Sequence, residues 1–376
     1  MIYLDNSATT RAYDAAADAV RRMMLDNYGN PSSLHSAGFA AEKELKRARR
    51  DTAAFFGVSE KEIIFTSGGT EGDNMAIRGA YNAAKRRSRR IITTTVEHPA
   101  VLETVKKLEQ EGAEAVYIGV DRDSRLDVER LREEASKGAA VISIMAVNNE
   151  TGAKMPICRA AEVKGEAVLH CDAVQALGKE DLKSLPADLI SVSAHKIHGP
   201  KGVGALVIKK GTRIDEIISG GGQEQGLRSG TENMPGICGF AEALRITGAD
   251  TGLRDRMARM RKLLLDGILD QIPDVRVNSP EDGCPAILNV SFLGTRGEVL
   301  LHRLEGEGIC VSTGSACSSG KKGGSHVLRA MGLTDEEVAG AIRFSFGAFN
   351  TEEEMPVVVD KLKKAVSGFR KLGSFR

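Results

Sequence analysis

The chain has almost no net charge, no tryptophan and no long apolar run. Lys plus Arg number 52 against 51 Asp plus Glu, a formal charge of +1, so nothing favours wholesale binding to nucleic acid. No segment approaches the roughly 20 apolar residues that a membrane span needs. The opening residues, Met1-Ile2-Tyr3-Leu4-Asp5, carry an acid where a secretory signal would have a basic and then an apolar run, so no such signal is expected there. Cysteine is scarce. The six cysteines, Cys158, Cys171, Cys238, Cys284, Cys310 and Cys317, show neither the C-x-x-C spacing of a zinc site nor the density of a short secreted disulfide framework. They suit a reducing cytosol, and a cytoplasmic location is expected. Internal repeats and low-complexity tracts are absent as well. What is present is 376 residues, long enough for one large domain and a smaller one.

From about Ile63 to Val207, apolar runs alternate with helical patterns. Arg90-Ile91-Ile92-Thr93-Thr94-Thr95 is followed by the helical pattern from Val101 to Gln110 and then by Ala115-Val116-Tyr117-Ile118. That alternation predicts a mostly parallel sheet covered by helices, an α/β architecture. The charged stretch from Leu253 to Lys262 reads as the solvated face of a long helix leading into a second region. Beyond it, Ala286 to Phe292 and the alternating run Ala341-Ile342-Arg343-Phe344-Ser345-Phe346-Gly347 predict a smaller α+β domain.

Several apparent strand ends deliver polar residues. Ala187 to Ser193 reads as a buried strand, and Gly199-Pro200-Lys201-Gly202 turns the chain before Val203 to Ile208. Lys196 falls between them. A lone lysine in a turn reads as a surface residue, but one held at a strand end and partly desolvated is suited to condense with an aldehyde. Upstream, Val168-Leu169-His170-Cys171-Asp172 ends in an acid, with Gln175 in the following turn. An aspartate there is often only a helix cap. Paired with an aldehyde-anchoring lysine, it fits the carboxylate that keeps the ring nitrogen of pyridoxal phosphate protonated, and Gln175 is placed to donate to the ring's phenolic oxygen.

A third segment, Ile63 to Asn74, runs from a strand into Ser67-Gly68-Gly69-Thr70 and then an apparent helix from Asn74. Backbone N–H groups and hydroxyls at a helix start make an anion site, so Gly69 and Thr70 are expected at the cofactor phosphate. The pattern is neither a Walker loop nor a dinucleotide fingerprint. His98, between a β-branched strand and the helix from Val101, is a candidate to stack on the ring and relay protons. Asn149, in Met145-Ala146-Val147-Asn148-Asn149, is released at another strand end.

In these segments the chain resembles the cysteine desulfurases, the sulfur-mobilising branch of the class V aminotransferases. The resemblance runs from Tyr3-Leu4-Asp5-Asn6-Ser7-Ala8-Thr9-Thr10 through Gly29-Asn30-Pro31-Ser32-Ser33 to Ile342-Arg343-Phe344-Ser345-Phe346-Gly347. It implies the fold-type I pyridoxal-phosphate transferase architecture, with residues 13–255 as the large domain and 256–376 with 1–12 as the small one. It also implies that Lys196 carries the cofactor, Asp172 pairs with the ring nitrogen, Gln175 and Asn149 contact the ring side, and His98 stacks. Ser193 and His195 then join Gly69 and Thr70 at the phosphate. Thr231, in Gly226 to Asn233, resembles the family's residue that reaches the phosphate of the neighbouring subunit, which implies a homodimer.

A desulfurase also needs a nucleophilic sulfur. Cys317, in Val311-Ser312-Thr313-Gly314-Ser315-Ala316-Cys317 and followed by Lys321 and Lys322, has small polar neighbours and a positive local potential that favours thiolate. Cys310, at the end of an apolar-flanked run, fits a small buried hydrophobe better. Arg343 offers the planar two-pronged donor that an amino-acid α-carboxylate requires. On a strand the default for such a residue is a surface salt bridge, and the family motif selects the substrate role. The spacing from Cys317 to Val327 is similar to the family's long-loop, housekeeping group, although Lys322-Gly323-Gly324 and His326 depart from its usual content. The expected reaction converts L-cysteine to L-alanine and leaves a persulfide on Cys317, for iron-sulfur scaffold proteins or carriers of tRNA and cofactor thiolation. Thiolate is a soft ligand, so Cys317 is also a candidate transient ligand of a cluster held by another protein. The alternatives are a selenocysteine lyase, another class V enzyme, or a non-catalytic partner of cluster assembly.

Overall fold

The computed structural model describes residues 1–313 and 324–373. The chain opens with β1 (Ile2–Tyr3), α1 (Asp14–Leu25) and α2 (Ser36–Phe56). It continues with β2 (Ile63–Thr66), α3 (Gly69–Ala84), β3 (Arg90–Thr94), α4 (Pro99–Gln110), β4 (Glu114–Ile118), α5 (Val128–Ser136), β5 (Val141–Ser143), α6 (Ile157–Val163), β6 (Val168–Asp172), β7 (Leu189–Ser193) and β8 (Gly204–Ile208). Then come α7 (Met234–Ala249), α8 (Leu253–Gln271), β9 (Val275–Val277), β10 (Ile287–Phe292), α9 (Gly297–Gly306), β11 (Ile309–Cys310), α10 (His326–Ala330), α11 (Asp335–Ala339), β12 (Ala341–Ser345) and α12 (Glu354–Gly373).

β2 to β8 form one seven-stranded sheet in the order β2-β8-β7-β6-β5-β3-β4. β4, β3, β5, β6 and β7 pair in parallel, and β8 runs antiparallel to both β7 and β2. Every residue of β7 and β8 is buried, as expected for strands covered by helices on both faces, which is why Leu189 to Val192 reads as a continuous apolar run. In such a sheet the carboxyl ends of parallel strands open onto a shared crevice. Here those ends carry the segments with Gly69, His98, Asn149, Asp172 and Lys196.

β12, β10 and β9 form a separate antiparallel sheet, and β1 pairs in parallel with β11. The first residues therefore belong with the C-terminal part of the chain. Leu4 donates to Cys310 O at 2.8 Å and accepts from Ser345 N at 2.7 Å. The next few residues then cross to the large sheet, where Thr10 N donates to His195 O at 3.1 Å. α8 buries Leu253, Met257, Met260, Leu264 and Ile268 along one side, a 3.6-residue stripe that leaves its charges solvated, as its sequence predicts.

Three local expectations need correction. α3 starts at Gly69 rather than near Asn74, because the N-terminal turn needs no strong helix formers and Gly68 adopts φ 151°, a backbone angle that favours glycine. β5 ends at Ser143, so Asn149, expected at a strand end, lies in a turn well beyond it. Cys310 is only half-buried, because β11 is a short edge strand.

The position of β2 depends on a buried ion pair. Arg49 Nη2 lies 2.6 Å from Glu224 Oε1, and Glu224 Oε2 accepts from Arg49 Nη1 at 3.0 Å and from Phe65 N at 2.8 Å. The Glu224 side chain is 2% exposed. Glu224→Ala strands the Phe65 amide and leaves the guanidinium only its 2.6 Å bond to Ile63 O, so it should cost about 3 kcal/mol. A fall of several degrees in the thermal midpoint, absent in an exposed control such as Glu129→Ala, checks this.

Candidate active site

A cavity of about 260 Å³ opens at the carboxyl edge of the large sheet, and the expected residues converge on it. Gly69, Thr70, His98, Asn149, Asp172, Gln175, Ser193, His195, Lys196 and Arg343 all line it. Thr231 does not: it is exposed and lies outside this cavity in the single chain. Cys317 lies outside the described residues, as do Lys321 and Lys322. Among the described residues no group of three or more His, Cys, Asp or Glu is arranged to hold a metal ion, and the five described cysteines are free. No described helix is long and apolar enough to cross a membrane.

Lys196 closes a single 3₁₀ turn, Ala194 to Lys196, that follows β7 directly. Its Nζ donates to the carbonyls of Ser7 at 2.5 Å and Ala8 at 2.8 Å. The N-terminal segment thus aims the amine into the cavity. The turn is tight: a Cβ on Gly199 would sit 2.9 Å from Ala194 O.

Asp172, the last residue of β6, accepts from Val174 N at 2.9 Å. Burial, then the nearby Asp73, push its carboxyl up to about 6. A cation placed against it would pull it back down, since opposite charge favours the ionised form. Two further buried acids stand behind it. Asp73 is raised to about 7 by burial, and Glu97 is raised well above its ordinary value by the same cause. Glu97 Oε1 accepts from Thr94 Oγ1 at 2.8 Å and Met145 N at 3.0 Å, while Oε2 has no hydrogen-bond partner among the described residues. Burial thus disfavours the ionised form of Glu97, whose second oxygen has no described donor to support a charge. His170 is buried and depressed to about 4, so its 3.5 Å contact with Asp73 is not an ion pair. It bridges Ser143 at 2.8 Å and Ser191 at 2.9 Å as a neutral imidazole.

His98 caps α4, with Nδ1 accepting from Ala100 N at 3.1 Å and Pro99 in the first helical position. With Nδ1 as acceptor, the neutral ring carries its hydrogen on Nε2. Burial holds its pKa below the ordinary histidine value. His195, depressed to about 4 by burial and then by Lys196, is likewise neutral.

At the opposite end, α3 points its N terminus into the cavity. A Cβ on Gly69 would meet Val174 Cγ2 at 2.6 Å, so only glycine leaves this cradle open to an anion. The N-terminal amides of α3, the Thr70 and Ser193 hydroxyls and His195 form a donor set that matches a phosphate. A carboxylate for a pyridinium sits across from it with a lysine between, and the residues present fit pyridoxal phosphate. Above them Arg343, with its side chain 4% exposed, donates to Asp5 Oδ1 at 2.8 Å and to Asn149 O at 2.9 Å. Its buried Nε has no hydrogen-bond partner among the described residues.

The sequence reading missed Asp5, Asp73, Glu97 and the Ser7 and Ala8 carbonyls. Two of the three acids had a signal, since each stands beside a chosen residue, Asp73 after Gly69-Thr70 and Glu97 before His98. The carbonyls had none.

Residues 2–358 match the family model for class-V aminotransferases, and the chain belongs to that family. Within it the similarity is to cysteine desulfurases. The chain is 42% identical to a cysteine desulfurase of Nostoc sp. (strain PCC 7120), over all of this chain and 95% of that protein. It is 40% identical to the cysteine desulfurase IscS of Clostridium botulinum, over 99% of this chain and 96% of that one. A solved NifS-like protein superposes with a TM-score of 0.88 at 39% identity, covering 97% of this chain and 99% of its own.

Proposed function

We propose that the protein is a pyridoxal-phosphate-dependent cysteine desulfurase, which converts L-cysteine to L-alanine and carries the sulfur as a persulfide on Cys317. The observation behind this reading is that Lys196, Asp172, Gly69, Thr70 and Arg343 line one cavity in a chain so similar to desulfurases along its whole length. Pyridoxal phosphate, when bound, supplies an electron sink that makes the α-proton of an attached amino acid removable. Lys196 is the anchor and, once displaced by the amino acid, the base that holds that proton on Nζ. Asp172 keeps the ring nitrogen protonated. His98 stacks, Gln175 and Asn149 meet the ring side, and Gly69, Thr70, Ser193 and His195 take the phosphate. Cys317 thiolate attacks the substrate sulfur: a sulfur–sulfur bond forms, the carbon–sulfur bond breaks, and its electron pair stays with the carbon skeleton, which takes up a proton and leaves as alanine.

The second domain is proposed as residues 256–376 with 1–12. Supporting it, the seven strands of the large sheet lie between Ile63 and Ile208, although α8 straddles the boundary at its first turn. A homodimer is proposed as well, with Thr231 serving the partner's phosphate. Exposed apolar residues at the end of α1 and the start of α2, including Met24, Leu25, Tyr28, Leu34 and Phe39, support a covered face there. The acceptors are iron-sulfur scaffold proteins or thiolation carriers in the cytoplasm.

The test is the visible spectrum of the purified protein, followed by alanine and sulfide release from L-cysteine with a reductant. Equal amounts of both products from a yellow protein support the reading. A colourless protein that pyridoxal phosphate does not reconstitute overturns it. For Arg343, the substrate carboxylate is expected on the guanidinium, so Arg343→Lys, which loses the planar fork, should raise the KM for L-cysteine about 10–100-fold with a smaller change in kcat. An unchanged KM would assign Arg343 to its Asp5 ion pair alone.

A further inference from the structure

Lys179 lies in the turn after β6, four residues beyond Gln175, and its side chain is buried. Its Nζ donates to Gln175 Oε1 at 3.2 Å. The titratable and charged groups that face it are Cys284 from the loop before β10, Arg343 of β12, and His195, Lys196 and His198 beyond β7. No carboxylate among the described residues lies near enough to hold the ammonium in place. Burial lowers its pKa most, Cys284 partly offsets this, and Arg343 lowers it further. A methionine would fill the same volume without the desolvation penalty. A buried cation that no described carboxylate neutralises points to an anion that arrives with a ligand.

The route to that ligand runs through Gln175. The two ends of an amide are nearly isosteric, and a glutamine at a cavity wall can present either one. Here both neighbours select the same orientation. The ammonium of Lys179 has only hydrogens to offer, so it takes Oε1, and the Ser7 carbonyl has only lone pairs, so it takes Nε2 at 2.9 Å. The second N–H of Gln175 is left for the cavity. The same Ser7 carbonyl accepts from Lys196 Nζ, so one hydrogen-bonded chain joins Lys179, Gln175, Ser7 and Lys196, and each link polarises the next.

We propose that Lys179 is a positioning residue: it fixes the Gln175 amide with its N–H toward the cavity and supplies the positive charge that balances the deprotonated phenolic oxygen of the bound pyridoxal ring. This rests on the reading, given above, that Gln175 meets that oxygen. Removing the cation should make the cofactor hold its proton more tightly, because a nearby positive charge favours the deprotonated form.

The experiment compares wild type, Lys179→Met, Lys179→Gln and Lys179→Arg in two ways. The thermal midpoint is measured on the apoproteins, and the visible cofactor band of each holoprotein is titrated against pH. Lys179→Met apoprotein is expected to melt at or above the wild-type temperature, since an unpaired buried charge has been removed. Its holoprotein band should titrate about one pH unit higher, and Lys179→Arg should recover most of that shift. If Lys179→Met does not fold, Lys179→Gln keeps a donor to Gln175 without the charge, and the same upward shift is expected. A band midpoint that stays at the wild-type value in the neutral variants overturns the inference and leaves Lys179 a structural residue. A wild-type protein with no band at all overturns the reading of the site, and the inference with it.

Discussion

Lys196→Ala should give a colourless protein whose alanine production from L-cysteine falls by about 10³-fold or more. Two roles meet in one nitrogen. As the anchor, Nζ fixes the aldehyde; as the released base, the same atom takes the α-proton, and no other described side chain that lines the cavity is a lysine able to do both. The neighbouring candidates are poor bases here for physical reasons. His195 is depressed to about 4 and His98 is also lowered, in both cases chiefly by burial, and Lys201 lies on the exposed side of the turn. The surroundings of Nζ argue in the same direction. Its hydrogen bonds to the Ser7 and Ala8 carbonyls hold the amine at the wall of the cavity that Asp172 and Gln175 also line. The measurement is the absorption spectrum after incubation with pyridoxal phosphate, with product assays on the same sample. A Lys196→Ala protein that stays yellow with a normal rate would move the anchor elsewhere, and Lys201→Ala would then be the next variant to test.

How much of this was legible in the sequence depends on what makes each residue matter. Asp172, Lys196 and Gly69 could be read because their significance lies in local pattern: an apolar run ends and a polar or flexible residue follows, and the ends of parallel strands share one edge of a sheet. The parallel sheet itself was legible for the same reason. Lys179 was not, and Asp73 and Glu97 could be seen only as acids beside chosen residues, because what distinguishes all three is burial against residues far away in the chain. Glu97 matters because Met145 N reaches its Oε1, and Lys179 because Cys284 and Arg343, both distant in the chain, lie beside a turn that looks solvated in one dimension. The start of α3 was misplaced because Gly-Gly-Thr is a poor helix in isolation, and only the tertiary position of Gly68 shows that the first turn begins there. Thr231 is a different case: within one chain it lies outside the active-site cavity, so its proposed role depends on a second copy.

Cys317→Ala separates the two halves of the proposed reaction. The variant should keep the cofactor band of the wild type, because every residue proposed to hold the cofactor is intact, yet release of alanine and sulfide should fall on the order of 10³-fold or more for want of a nucleophile. The control is Cys310→Ala. Cys310 is the described cysteine nearest Cys317 in the chain, half-buried in β11 and hydrogen-bonded through its carbonyl to Leu4 N. Replacing its thiol leaves that backbone contact in place, so turnover should be largely unchanged. Of the other described cysteines, Cys171 and Cys284 are fully buried, with thiols raised above their ordinary value chiefly by burial, and Cys238 is pushed up to about 11 for the same reason. Such thiols are poor nucleophiles at neutral pH. Mass spectrometry of the wild type after a single turnover without reductant should find one additional sulfur on the peptide that carries Cys317. An additional sulfur on the Cys310 peptide instead, with Cys317→Ala fully active, would reverse the assignment and place the nucleophile on a rigid strand.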